Sequence, residues 1–319
     1  MKVLANDGIA ASGKVELENA GFTVVTETVP QDKLAETINE EGYEVILVRS
    51  ATKIRKDLID ACPGLKMIGR GGVGMDNIDV DYASSKGINV FNTPASSSQS
   101  VAELVMGHLF GAVRFLYDSN REMPKNGEGQ FKVLKKKYAK GIELRGKTLG
   151  ILGFGRIGQA LASYALGCGI NVMAFDRNDG PFTIEMNIGG KTVSVDLNTS
   201  SKEEVLKNSD FISVHIPAIG EAIIGKAEFE LMKKGSILLN ASRGGTVDET
   251  ELIKALDSGK LAHAALDVFE NEPTPNAALL KHSKISLSPH IGAATEEAQD
   301  RIGTELAENI INFYSEVKA

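Results

Sequence analysis

Arg243, Glu272 and His290 stand 29 and then 18 residues apart, each inside a distinctive short string. The strings are NASRGGTVDE (240–249), LDVFENEP (266–273) and LSPHIGAAT (287–295). A guanidinium can grip a carbonyl or carboxylate. An imidazole can take or return a hydroxyl proton, and a carboxylate can fix its tautomer and stabilise its charged form. These are the parts needed to move a hydride and a proton at a hydroxy-acid carbon. The chain has four other histidines, at 108, 215, 263 and 282. His290 stands out because it follows Pro289 after an apolar run and precedes Gly292-Ala293, which suits the carboxyl end of a strand, where open α/β sheets bind ligands. Arg243 could also serve an interdomain salt bridge, and Glu272 a solvated loop; the three strings in order favour chemistry. Asp248, Glu249 and Glu251 read as charges at a helix N-terminus.

A glycine signature precedes all three. GFGRIG (153–158) follows the β-like run TLGIL and opens the helical stretch RIGQALASYAL, and Asp176 ends the next strand 18 residues past Gly158. In that setting Gly153, Gly155 and Gly158 let a backbone approach a pyrophosphate at a helix N-terminus, and Asp176 accepts from a ribose hydroxyl. A carboxylate there repels a 2′-phosphate and favours NAD over NADP; Arg177 beside it pulls the other way.

Elements must hold these groups. KVLA (2–5), FTVVT (22–26), EVILV (44–48), LKMIG (65–69) and INVFN (88–92) read as strands, and 32–41, 55–61 and 79–86 as helices between them. A second series, TLGIL, INVMAFD, DFISVH, SILLNA, AHAALDV and KISLS, begins at Lys147 and is followed by a polar helix, 295–315. Such alternation implies α/β architecture with two doubly wound parallel sheets. Apolar residues from Val101 to Leu116 share one face of a helix spanning Ser98 to about Asn120. Residues 121–141, rich in lysine and glycine, read as a mobile surface loop. Alternation around Gly189-Gly190 predicts a hairpin over 182–196.

At 319 residues the chain has room for two domains. Net charge of −7 argues against a general nucleic-acid binder. No apolar run reaches membrane length, and MKVLAND is too short a lead for a secretory signal, so a cytoplasmic location is expected. Cys62 and Cys168 are the only cysteines, which leaves neither a disulfide framework nor a metal cluster to expect.

The strings around Arg243, Glu272 and His290, with the glycine signature, resemble the D-isomer-specific 2-hydroxyacid dehydrogenase family, and within it most closely the phosphoglycerate dehydrogenases. The resemblance also covers RSAT (49–52), RGGVGMDN (70–77) and NTP (92–94). It implies a Rossmann-type cofactor domain (98–292) inserted in a flavodoxin-like substrate domain (1–97 and 293–319), and a homodimer paired through the cofactor domains near the 98–120 helix. It places Arg156 and Ile157 at the pyrophosphate, His215, Ile216, Pro217, Ala241 and Ser242 along the adenosine and nicotinamide sides, and Gly292 nearby, with Asp267 accepting from the carboxamide. His215 could equally be a strand-end residue shaping its loop. Arg49, Ser50 and the Gly72-Val73-Gly74 turn are expected at the substrate, and Lys135, Lys136 and Lys137 over a phosphate. The expected reaction is NAD-dependent oxidation of D-3-phosphoglycerate. Alternatives are a glyoxylate or hydroxypyruvate reductase, another D-2-hydroxyacid dehydrogenase, or an NAD-sensing corepressor-like protein. Three departures stand out: no tryptophan in 121–141, a short loop without the usual threonine after Pro217, and an end at Ala319 without the regulatory extension of some relatives.

Overall fold

The computed structural model describes residues 1–318, which form two compact units: Met1–Ser98 with Ala293–Ala319, and Gln99–Gly292. The chain opens with β1 (Lys2–Ala5), α1 (Ala11–Asn19), β2 (Thr23–Val25), α2 (Leu34–Glu41), β3 (Tyr43–Val48), α3 (Lys56–Ala61), β4 (Met67–Arg70), α4 (Val80–Ser85) and β5 (Asn89–Asn92). These strands make a parallel sheet in the order β2-β1-β3-β4-β5, the flavodoxin-like arrangement. The central strand YEVILV is apolar almost throughout, as a strand covered on both faces requires.

The second unit runs through α5 (Ser98–Val113), α6 (Leu116–Lys137), β6 (Thr148–Leu152), α7 (Arg156–Gly167), β7 (Asn171–Phe175), the antiparallel hairpin β8 (Phe182–Ile188) and β9 (Lys191–Leu197), and α8 (Lys202–Asn208). It continues with β10 (Phe211–Val214), α9 (Lys226–Leu231), β11 (Ser236–Asn240), α10 (Glu249–Asp257), β12 (Leu261–Leu266), α11 (Ala277–Lys281) and β13 (Ile285–Leu287). Six strands form a parallel sheet, β13-β12-β11-β10-β6-β7. Strand order reverses between β6 and β10, the place where a doubly wound sheet opens a crevice for its ligand. Beyond β7, the third-strand position holds only a single bridge between Ala174 and Thr199, because the chain has been diverted into the hairpin.

A last helix, α12 (Glu296–Lys318), belongs to the first unit, where Ile302, Leu306 and Ile310 cover Val3, Val45 and Met67. It crosses α1 so closely that their backbones meet at Gly13 and Gly303.

The structure corrects two sequence expectations. Residues 121–141 are mostly helix α6, not a loop, and the helix expected from Ser98 to about Asn120 breaks at Phe115, which takes a left-handed backbone. Lysine and glycine content suggested a loop, yet α6 runs through Pro124, Gly127 and Gly129 and loses helical geometry only at Gln130. Asp118 and Lys137 would lie about 28 Å apart along a straight helix. Their 2.8 Å ion pair shows that the element doubles back at Gln130, and Tyr138 Oη donates to the same carboxylate.

Candidate active site

His290 Nδ1 lies 2.7 Å from Glu272 Oε2, and the other carboxylate oxygen of Glu272 accepts from Phe269 N at 2.9 Å. With Nδ1 engaged, the ring is held in one orientation and Nε2 is left to exchange a proton. The His290 side chain is 40% exposed, so a substrate can reach it. Burial pushes the Glu272 carboxyl up, but the bonds from His290 and Phe269 N, with the charges of His290 and Arg243, leave it below its ordinary value. It is therefore an anion beside the ring.

Arg243 sits in a turn just past β11 that Asn240 organises. The Asn240 side chain donates to Arg243 O and Thr246 Oγ1 and accepts from Ser242 N and Ser242 Oγ. Gly244 brings this turn against the Glu272 loop, since any Cβ there would strike the Phe269 carbonyl. Glu249 braces the same junction. It is buried, accepts from Glu270 N at 2.8 Å, and its own N–H donates back to Glu270 at 3.3 Å. The expected helix-end charge is thus only part of its role; Asp248 is the N-cap, accepting from Glu251 N.

The His290 loop is pinned as firmly. His290 has a left-handed backbone (φ 54°), a conformation that costs a non-glycine residue about 1 kcal/mol or more. Asp267, only 1% exposed, accepts from Ser288 Oγ, Ile291 N and Gly292 N, and Ser100 Oγ donates to Gly292 O. Asp267 therefore already has three donors, a positioning load that the motif did not reveal. Ser100, Ser288 and Asn240 are likewise partners that sequence reading missed; their closeness to Gly292, His290 and Arg243 appears only after folding, although Asn240 and Ser288 do flank the motif residues.

At the strand-order reversal, Gly153 has φ 93°, and a Cβ on it would come 2.6 Å from the carbonyl of His215, at the end of the neighbouring strand. Gly155 precedes α7 with no side-chain cap on the helix, and Arg156 and Ile157 fill its first turn. Asp176 accepts from Phe154 N at 2.7 Å and Asn178 N at 2.9 Å, which hangs its carboxylate beside the glycine loop. Burial pushes His215 down to about 4, its Nε2 meets Ser213 Oγ, and its buried Nδ1 has no partner among the described residues. Open helix amides, a fixed carboxylate and an orphaned ring nitrogen are groups a dinucleotide would satisfy.

In the first unit, the 49–52 loop is held at both ends. Asp7 accepts from Arg49 N, Thr52 N and Thr52 Oγ1, while Asn77 Nδ2 donates to Arg49 O and Thr52 O. The Arg49 stem lies over Gly71, and its guanidinium has no ion pair among the described residues; Ser50 is exposed. Thr93 and Asn92 fasten the adjacent turn, accepting from Gly72 N and donating to Val73 O, while Gly74 follows at its half-exposed end. Lys135 and Lys136 are exposed in the last turn of α6, and Lys137 is committed to Asp118, whose hydrogen bond pushes its ammonium up.

Residues 106–292 match the family described as D-isomer specific 2-hydroxyacid dehydrogenase, NAD binding domain. The chain belongs to that family. It is 40% identical to D-3-phosphoglycerate dehydrogenase of Methanocaldococcus jannaschii, an alignment covering 98% of this chain and 60% of that protein, so it spans less than two thirds of that relative. It is 43% identical to hydroxypyruvate reductase of Thermotoga maritima, over 93% of this chain and 91% of that one. Among solved structures, the TT0316 protein of Thermus thermophilus superposes with a TM-score of 0.86 at 29% identity, covering 99% of this chain and 97% of its own. The cofactor the family's domain binds is a nicotinamide dinucleotide, in keeping with the groups around Gly153 and Asp176. Among the described residues no cluster suits a metal ion, and no helix is long and apolar enough to cross a membrane.

Proposed function

We propose that the protein is an NAD-dependent D-2-hydroxyacid dehydrogenase whose substrate is D-3-phosphoglycerate, oxidised to 3-phosphohydroxypyruvate in serine biosynthesis. The observation that carries the chemistry is the His290–Glu272 bond at 2.7 Å within the field of Arg243. His290 takes the hydroxyl proton, Glu272 stabilises the imidazolium, and Arg243 holds the developing carbonyl and the carboxylate. A dinucleotide bound there would supply the hydride acceptor. Gly153, Gly155, Arg156, Ile157 and Gly158 cradle its pyrophosphate, Asp176 takes the ribose hydroxyls and selects NAD over NADP, and His215, Ile216, Pro217, Ala241 and Ser242 line its rings. Asp267 and Gly292 close its nicotinamide end.

Arg49, Ser50 and the Gly72-Val73-Gly74 turn take the substrate's anionic groups, with Lys135 and Lys136 adding positive charge. A pinned loop carrying a cation that has no ion pair among the described residues supports the phosphorylated substrate. The hydroxypyruvate reductase likeness supports an unphosphorylated rival. Arg49→Ala distinguishes them. It should raise KM for D-3-phosphoglycerate by about 10-fold or more, as loss of a charged hydrogen bond implies, and leave D-glycerate or D-lactate nearly unchanged. Equal losses on all of them would remove the phosphate reading.

A homodimer pairing through α5 and α6 is part of the proposal. Phe110, Leu116, Met123, Phe131, Val133 and Ile142 are all exposed along this stretch, more apolar surface than water favours. A 34.0 kDa species in sedimentation at micromolar concentration would contradict it.

A further inference from the structure

The loop carrying His290 is backed by a polar chain that runs from Asp267 to two residues, Ser288 and His108, with no part in the proposed reaction. On α5, His108 Nε2 lies 2.8 Å from Ser288 Oγ, and Ser288 Oγ donates to Asp267 Oδ1 at 2.6 Å. Asp267 then grips Ile291 N and Gly292 N, on either side of which the His290 and Ala293 backbones continue. Ser288 has one hydroxyl proton and gives it to Asp267, so toward His108 its oxygen can only accept. His108 must therefore present Nε2–H. Its helix is a firm anchor, because Val105, Met106 and Leu109 are buried in the core of the unit.

We propose that His108 is a positioning residue for the acid/base histidine: through Ser288 and Asp267 it ties the strained His290 loop to helix α5. The inference rests on the function proposed above. His290 N itself donates to Ser288 O, so the residue that His108 holds is the one that closes the His290 turn. Burial pushes the His108 imidazole down, and the charged or titratable groups acting on it are Asp267 and His263. A neutral ring keeps a single N–H, and Ser288 takes it. His263 makes a similar bond to Ser286 Oγ at 2.7 Å, between β12 and β13 themselves rather than between α5 and the loop that follows β13.

Two substitutions separate positioning from packing. His108→Leu keeps apolar bulk and removes the N–H; His108→Gln returns an amide N–H to the place of Nε2. Ser288→Ala cuts the chain at its middle and serves if the leucine variant fails to fold. His108→Leu and Ser288→Ala should lower kcat about 10- to 100-fold, the scale of misplacing a catalytic group by a fraction of an ångström or more. The pH–rate profile should move, and His108→Gln should recover most of kcat. In substrate-free protein, the His290 ring resonances should shift in His108→Leu and return in His108→Gln. Equal losses in the leucine and glutamine variants, or an unmoved His290 signal and kcat in Ser288→Ala, would reduce His108 to a packing residue. His290→Gln is the control for the underlying reading: if that variant turns over normally, the function is wrong, while the ring resonances still decide whether His108 positions the loop.

Discussion

Glu272 divides its two oxygens between jobs, one fixing its own loop through Phe269 N and the other holding the catalytic imidazole. Its ionised state is secured by those bonds, so removing the charge should make the imidazole easier to deprotonate. Oxidation needs the neutral ring to take a proton. In Glu272→Gln the acid limb of the rate–pH profile should therefore move to lower pH, with reduced kcat; an unmoved limb would leave Glu272 a structural role alone. Asp176 tests cofactor choice at the same scale. Its carboxylate, fixed by Phe154 N and Asn178 N, should repel a 2′-phosphate, so Asp176→Ala should shift the ratio of kcat/KM toward NADPH. A wild-type preference for NADPH would make exposed Arg177 the deciding residue instead. These residues were legible because each closes a short local string. The holders of the His290 loop were not: Ser100 and Ser288 act through bonds to Gly292 and Asp267, 192 and 21 positions away, which only the fold brings together.

Among the elements, strands were legible where both faces are buried and the sequence is a continuous apolar run, as in β3 and β11. The hairpin was legible because Gly189 and Gly190 both adopt positive φ, which the tight turn demands. Helix α1 escaped notice: it buries little beyond Gly13 and Leu17 and rests on backbone contact with α12 rather than on an apolar stripe. Helix α6 was misread because its lysine and glycine content suggested a loop, whereas Asp118 tethers its far end. That tether carries its own prediction. Lys137→Ala should change KM for D-3-phosphoglycerate less than Lys135→Ala or Lys136→Ala does, since its charge is already paired. Stability should fall by no more than about 1 kcal/mol, the range for an exposed ion pair. A larger KM effect for Lys137 than for its neighbours would show that the Asp118 pair opens when substrate binds.

For the whole molecule, His215 and His263 are each pushed by burial from 6.5 to about 4. Between those values the unfolded chain binds protons that the folded chain does not, so stability is full above about pH 6.5 and declines as pH falls toward 4. The steepest slope is about 2.7 kcal/mol per pH unit if both rings contribute fully. Urea unfolding at neutral pH and near pH 5 measures it, and a His263→Gln variant should show a shallower decline; equal stability at the two pH values would contradict the burial account. The central claim, that this fold transfers a hydride with His290 as its acid/base, has a more direct test. NADH formation is followed with D-3-phosphoglycerate, D-lactate, D-glycerate and D-2-hydroxyglutarate, in wild-type protein and in His290→Gln, alongside NAD binding to both. The account predicts turnover of D-3-phosphoglycerate by the wild type, and a loss of ~10²–10⁴ in the variant, with NAD binding nearly intact. Unaltered turnover in His290→Gln, or no NADH from any of these acids with wild-type protein that binds NAD, would contradict it.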